Sequence, residues 1–239
     1  HRRHKKVDRT AILKIIVKRV NYMVKIAQLR VRLDDIKDDT SAEALALAAE
    51  IMRYSAEAAE ENVACEWRVA KLARECLPLA RRLVEARTAL DDVCDALERM
   101  LCAVTDYRPR LRCSICELLI PTLESLETAD TEEKEAIEAS LSYARGELER
   151  LSHNIAAAER GDYESIQQSG FLQHDPVEWS ARWEEVIDEA QREVDDRLAD
   201  VPRGVGFCLG YWQELKGALK RRGVSWRSPS QMNPCVMFD

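Results

Sequence analysis

No glycine occurs among the first 145 residues of this chain, and all eight lie between Gly146 and Gly223. Glycine is the ordinary occupant of left-handed turn and helix-cap positions. A stretch this long without one, punctuated only by Pro78, Pro109 and Pro121, has few places to reverse tightly. Long helices come first and irregular backbone comes late. Composition agrees, because a chain that is 33% charged and 6% aromatic suits Ala/Leu/Glu/Arg-rich helices rather than a β-sandwich. The expected class is all-α: an elongated helical bundle with antiparallel coiled-coil packing and a small aromatic-rich C-terminal helical subdomain. A length of 239 residues buries enough apolar surface to need no disulfide or metal staple.

Apolar spacing divides the chain into four segments. In 1–37, Leu13, Val17, Val20, Val24, Ala27 and Val31 alternate spacings of four and three, the pattern of a basic amphipathic helix with a heptad stripe. In 38–161, an acidic bundle of long helices, Ser41 or Thr40 caps a helix whose stripe runs from Leu45 to Leu77 with only Glu66 out of character. Unbroken, that helix spans roughly 55 Å. Pro78 is its expected kink or boundary, after which the pattern resumes through Leu83, Leu90, Leu97 and Val104. A shorter helix follows at 111–126. Asp130 and Glu133 then form a capping box for the stripe Ile137, Leu141, Ala144, Leu148, Leu151, Ile155 and Ala158, which Gly161 ends.

Segment 162–202 reads as a loop and an acidic helix that continues the bundle, opened by Asp175-Pro176 and striped by Trp183, Val186, Ala190 and Val194. Segment 203–239 is a basic, aromatic helix at 207–222 and a tail in which Ser228 and Gln231 cap one more turn.

The formal net charge of −7 conceals a polarity. Residues 1–37 carry twelve Lys/Arg against three Asp/Glu, residues 203–239 carry six against two, and the stretch between is left at −20. Two basic ends flank an acidic body. They are the strongest functional lead, since clustered cations bind phosphates or acidic protein surfaces. Arg2, Arg3, Lys5, Lys6, Lys14, Lys18 and Arg19 at one end, with Lys216, Lys220, Arg221, Arg222, Trp226 and Arg227 at the other, are the candidate contacts. Guanidinium and indole groups also stack on bases, although Trp212 and Trp226 equally suit closing a core.

Eight cysteines are too sparse for a disulfide scaffold. Cys94 and Cys102 on one helix stand roughly 12 Å apart at 1.5 Å rise per residue, beyond disulfide reach. A cytoplasmic or other reducing compartment is the expectation. Cys113 and Cys116, one turn apart, form half of a zinc site that Cys208, Cys235, His153 or His174 would have to complete; otherwise they are structural thiols. Apolar runs stop well short of the ~18 residues that a membrane span requires.

Two acidic patterns point to a metal-dependent phosphohydrolase or synthase. Asp91, Asp92 and Asp95 fit the DDxxD motif with which all-α isoprenoid synthases hold magnesium and diphosphate, as do Asp34, Asp35 and Asp38. Glu184, Glu185 and Asp188 with Glu193 and Asp196 are similar to the acidic arrangement of all-α nucleotide pyrophosphatases, except that here one helix carries both halves. In a chain with 43 acidic residues, solvated helix faces account for both. No histidine has a serine or cysteine partner at motif spacing, so nucleophilic catalysis lacks a candidate. The leading expectation is therefore a non-enzymatic scaffold or assembly subunit that binds a protein partner or a second copy through its basic ends. Nucleic-acid binding through the same ends is second, and the metal-dependent enzyme third.

Overall fold

In the computed structural model the backbone is described for residues 9–238 and the side chains for 22–238. The chain is all-α. Among the described residues there are nine α-helices and no strand: α1 Arg9–Asp34, α2 Ala42–Glu61, α3 Glu66–Glu85, α4 Leu90–Ala103, α5 Pro109–Glu124, α6 Thr131–Glu159, α7 Ala181–Arg197, α8 Phe207–Arg221 and α9 Pro229–Met232. No described helix is long and apolar enough to cross a membrane.

Helix α1 lies along α2 through a face that the heptad count did not select. Ile26 and Leu29 are buried, with Tyr22, Leu33 and Ile36 packed partly against the core. Within the described side chains the counted stripe turns outward, with Ala27 exposed, Val24 48% exposed and Val31 62% exposed. Both sets keep spacings of three and four. The buried one carries the larger side chains and so removes more apolar area from water than a Val/Ala stripe does.

The expected long helix is broken at 62–65 rather than at Pro78. Asn62 ends α2, its backbone N–H donating to the Ala59 carbonyl at 3.0 Å and its side-chain amide to the Ala58 carbonyl at 2.7 Å. Pro78 sits inside α3 on the solvent side, where its missing N–H is tolerated. The break folds α3 back on α2 along a seam of buried alanines, among them Ala44, Ala48, Ala56, Ala59, Ala70 and Ala73. Short side chains at that seam leave the two backbones free to approach closely.

A second unexpected turn separates α3 from α4. Two non-glycine residues, Arg87 (φ 51°) and Ala89 (φ 53°), adopt the left-handed conformation there. The glycine-free region thus does reverse tightly, at the cost of backbone strain. Caps elsewhere follow the sequence in part: the Glu133 side chain turns to Thr128 instead of closing the expected capping box, and Asp175 caps only a 3-10 turn at Pro176–Trp179, after which Ser180 caps α7. Ser41 accepts from the Ala44 N–H at 3.2 Å, Asp130 from the Glu133 N–H at 3.0 Å, and Ser228 with Gln231 closes a capping box on α9.

The main core is built from α1 to α5, with Ala144 of α6. A second cluster joins α7 to α8 and the tail, where Trp183 meets Trp226, Leu215 and Leu219. A third patch ties α5 to α6 and the loop after it through Cys113, Leu151, Ala157, Ile166 and Trp179.

Candidate functional site

The turn entering α5 is a hub of arginines. Arg108 has a side chain only 1% exposed, with Nη2 2.7 Å from Asp188 Oδ1 on α7 and Nη1 3.1 Å from Glu66 Oε2 at the start of α3. It also bonds Gln191, whose Nε2 donates to the same Glu66 oxygen at 2.7 Å, and Arg74 pairs with Asp188 from the other side. Arg110 reaches the Trp179 carbonyl and Glu159, each at 2.8 Å. Arg112 donates to the Leu101 carbonyl at 2.7 Å and to Glu147 at 2.6 Å, satisfying an open carbonyl near the end of α4. Glu184 of α7 caps α5 from outside: its two oxygens accept from the Arg110 and Leu111 N–H groups at 2.8 and 2.7 Å. Burial is the main force raising the Glu184 carboxyl, with those two bonds opposing it.

Beside this hub, between the start of α3 and the α7–α8 pair, lies a cavity of about 350 Å³. Its walls include Tyr107, Trp183, Phe207, Tyr211, Trp212 and Trp226. Tyr107, Trp183 and Trp226 form one continuous aromatic surface, with ring centroids 6.2 and 5.7 Å apart at its two contacts. Trp183 donates its indole N–H to the Tyr107 carbonyl at 2.9 Å, and Trp226 donates to the buried Glu178 at 2.6 Å. Two carboxylates line the same space, Glu66 and Asp195. Asp195 Oδ2 accepts from Trp67 at 2.9 Å and Oδ1 faces Arg203 at 3.4 Å. Burial first, then nearby carboxylates that include Glu66, push the Tyr107 and Tyr211 phenols up.

Of the candidate contact residues, only those near the carboxyl end have described side chains. Arg2, Arg3, Lys5 and Lys6 lie outside the described residues, as do the side chains of Lys14, Lys18 and Arg19. At the other end the cations are spent internally. Arg221 and Arg222 both bind Glu193, the latter at 2.7 Å; Arg227 is 3.2 Å from Asp175, and Lys216 donates to Gln231 at 2.9 Å. Lys220 is exposed. Trp226 is a correction: at 2% exposure it is a core ring whose N–H has a buried acceptor, and it offers no face to a base.

The acidic patterns are dispersed. Asp91 and Asp92 are exposed, Asp95 pairs with Arg99 at 3.3 Å, and Glu184, Asp188 and Glu193 serve three different partners. Cys113 and Cys116 both point inward, and burial raises their thiols, Cys116 to about 12. Among the described residues no three His, Cys, Asp or Glu side chains are grouped to hold a metal ion.

The cavity was not foreseen as a site. One of its signals was already in the sequence, since Glu66 interrupts an otherwise apolar stripe. Its partners Arg108 and Gln191 lie 42 and 125 positions away and carry no local pattern. No family model matches the sequence, and neither a curated protein nor a solved structure matches it.

Proposed function

We propose that this protein is a non-enzymatic helical scaffold or assembly subunit that docks a protein partner on the outer face of α1. One observation carries the reading. Met23, Val24 and Val31 are 44%, 48% and 62% exposed and lie on one face of the helix, with exposed Ala27 between them. Single apolar side chains on a surface are ordinary, whereas Val24, Ala27 and Val31 keep the i, i+3, i+7 spacing of the anchors in a helix-in-groove contact. Lys25, Arg30 and Arg32 beside the row pair with Glu50, Glu75 and Glu43 of the bundle, so the fitting partner is an amphipathic helix that meets the row through its apolar face. The internal use of Glu184, Asp188 and Glu193 favours binding over metal chemistry.

The test is the double variant Val24→Asp, Val31→Asp against the parent chain, by light scattering and by partner capture with nuclease and high-salt arms. The expected result is loss of the complex, or of self-association, with an unchanged melting temperature, because neither side chain is in the core. Capture abolished by nuclease moves the reading to nucleic acid. A double variant that keeps both its mass and its partner overturns the proposal.

A further inference from the structure

The cavity between α3, α7 and α8 opens to solvent past Val63, Ala64 and Arg203, and two carboxylates line it. Its volume of about 350 Å³ falls within the range of small-ligand sites. Three features decide what suits it. The first is the set of partly exposed rings, Phe207, Tyr211 and Trp212, whose faces carry partial negative charge. The second is the pair of carboxylates. Glu66 uses one oxygen, Oε2, for both Arg108 and Gln191, which leaves Oε1 without a protein partner among the described residues. Arg108 lies behind Glu66 and is not among the cavity's lining residues, so its charge holds the carboxylate in place without facing a guest.

The third feature is a cation at the rim. The Arg203 guanidinium stands 5.4 Å from the Phe207 ring centroid and 3.4 Å from Asp195 Oδ1, with its side chain 59% exposed. The protein's own guanidinium is thus held at the mouth by one ring and one carboxylate, the two kinds of group that line the interior in greater number. A neutral apolar guest would leave Glu66 Oε1 desolvated and unpaired, and an anion would face two carboxylates.

We propose that this cavity is a binding site for a small organic cation of the alkylated-ammonium class, seated against the partly exposed Tyr211 and Trp212 rings with Glu66 as its counter-charge. Aromatic faces bind such cations by cation–π attraction, which strengthens as water is excluded. The site is independent of the outer face of α1 and takes a different kind of ligand.

Isothermal titration calorimetry with tetramethylammonium, choline and benzyltrimethylammonium tests the proposal, with 3,3-dimethylbutan-1-ol as the uncharged isostere of choline. Choline should bind, and the isostere should bind about tenfold more weakly, the discrimination that a desolvated cation–π contact and a carboxylate supply. Glu66→Gln should reduce choline affinity by about tenfold on the same ground. Because that change also touches Arg108, Trp212→Ala, at a partly exposed wall position edge-to-face with Phe238 at 5.0 Å, provides a second reading outside the buried ion network. It should keep the parent's circular dichroism and weaken choline binding. Equal affinity for choline and its isostere, no heat with any of the three cations, or a folded Trp212→Ala that binds choline like the parent would each overturn the assignment.

Discussion

Arg108 and Asp188 form the ion pair that fastens the α5 turn to α7, Nη2 to Oδ1 at 2.7 Å, with the guanidinium almost wholly removed from water. A buried pair of this kind gains little over an apolar replacement of the same shape, but losing one partner strands the other charge. Because Arg108 keeps Glu66 and Gln191, Asp188→Ala should destabilise the chain by about 1–3 kcal/mol in urea unfolding, less than a fully stranded charge costs. Arg108→Met should cost less, because Asp188 keeps Arg74 and Glu66 keeps some access to water. If Asp188→Ala unfolds at the parent's urea midpoint, Glu66 and Gln191 alone satisfy the arginine.

The left-handed turn between α3 and α4 gives a prediction of opposite sign. Ala89, at φ 53°, occupies a conformation that costs an L-residue roughly 1–2 kcal/mol and costs glycine nothing. Glycine also loses more freedom on folding, which removes part of the gain. Ala89→Gly should still raise stability, by up to about 1 kcal/mol, and raise the melting temperature by a few degrees. A lowered melting temperature would mean that the Ala89 methyl contributes packing beyond its strain.

The same turn explains where sequence and structure part. Segment 1–145 was legible as helix, but its reversals were not, because Asn62 and the Arg87–Ala89 turn do without glycine. Later boundaries were legible because their chemistry is local: Asp130 with Glu133, Gly161 at φ 72°, and Ser228 with Gln231. In α1 two apolar sets share one helix, and spacing alone does not say which meets α2. Basic residues near the carboxyl end announced charge but not their partners, since Glu193 and Asp175 reach Arg221, Arg222 and Arg227 only once α8 and the tail are folded. Concentrated aromatics there announced a core, and the space they enclose depends on α3, more than 100 positions earlier.

A pH dependence follows from His174. Its Nδ1 is 2.8 Å from Glu178 Oε2, and that hydrogen bond raises the imidazole above its ordinary value, burial opposing and Asp106 assisting. The Tyr107 ring stands edge-on at 5.4 Å, and Arg150 works against the charge. A raised folded value means that the stabilisation is fully present below the ordinary histidine pKa of ~6.5 and disappears as pH rises through the folded value. Glu178 carries the same sign, because burial raises its carboxyl too. The melting temperature should fall as pH rises from about 6 to about 8, and His174→Gln should flatten that fall. A slope unchanged in the variant would place the titration elsewhere.

Thiol chemistry distinguishes the two readings of Cys113 and Cys116. Burial pushes the thiols of Cys76, Cys94 and Cys116 up to about 12 and raises that of Cys113, whereas Cys102 and Cys235 are exposed. The thiolate is the species that attacks a disulfide reagent and that binds zinc, so a thiol held protonated in an apolar setting does neither readily. In the native protein, Cys102 and Cys235 should react promptly with an aromatic disulfide reagent, and Cys76, Cys94 and Cys116 should react only at the rate of unfolding. Peptide mapping of the labelled sites assigns each cysteine, and elemental analysis of protein prepared without chelator reports any metal. Should a chelator release zinc and at the same time open Cys113 and Cys116 to the reagent, the two cysteines are metal ligands and their placement in this fold must change. Without such release they act as small apolar side chains, and Cys116→Ala should cost about 1 kcal/mol, the scale of a modest loss of buried volume.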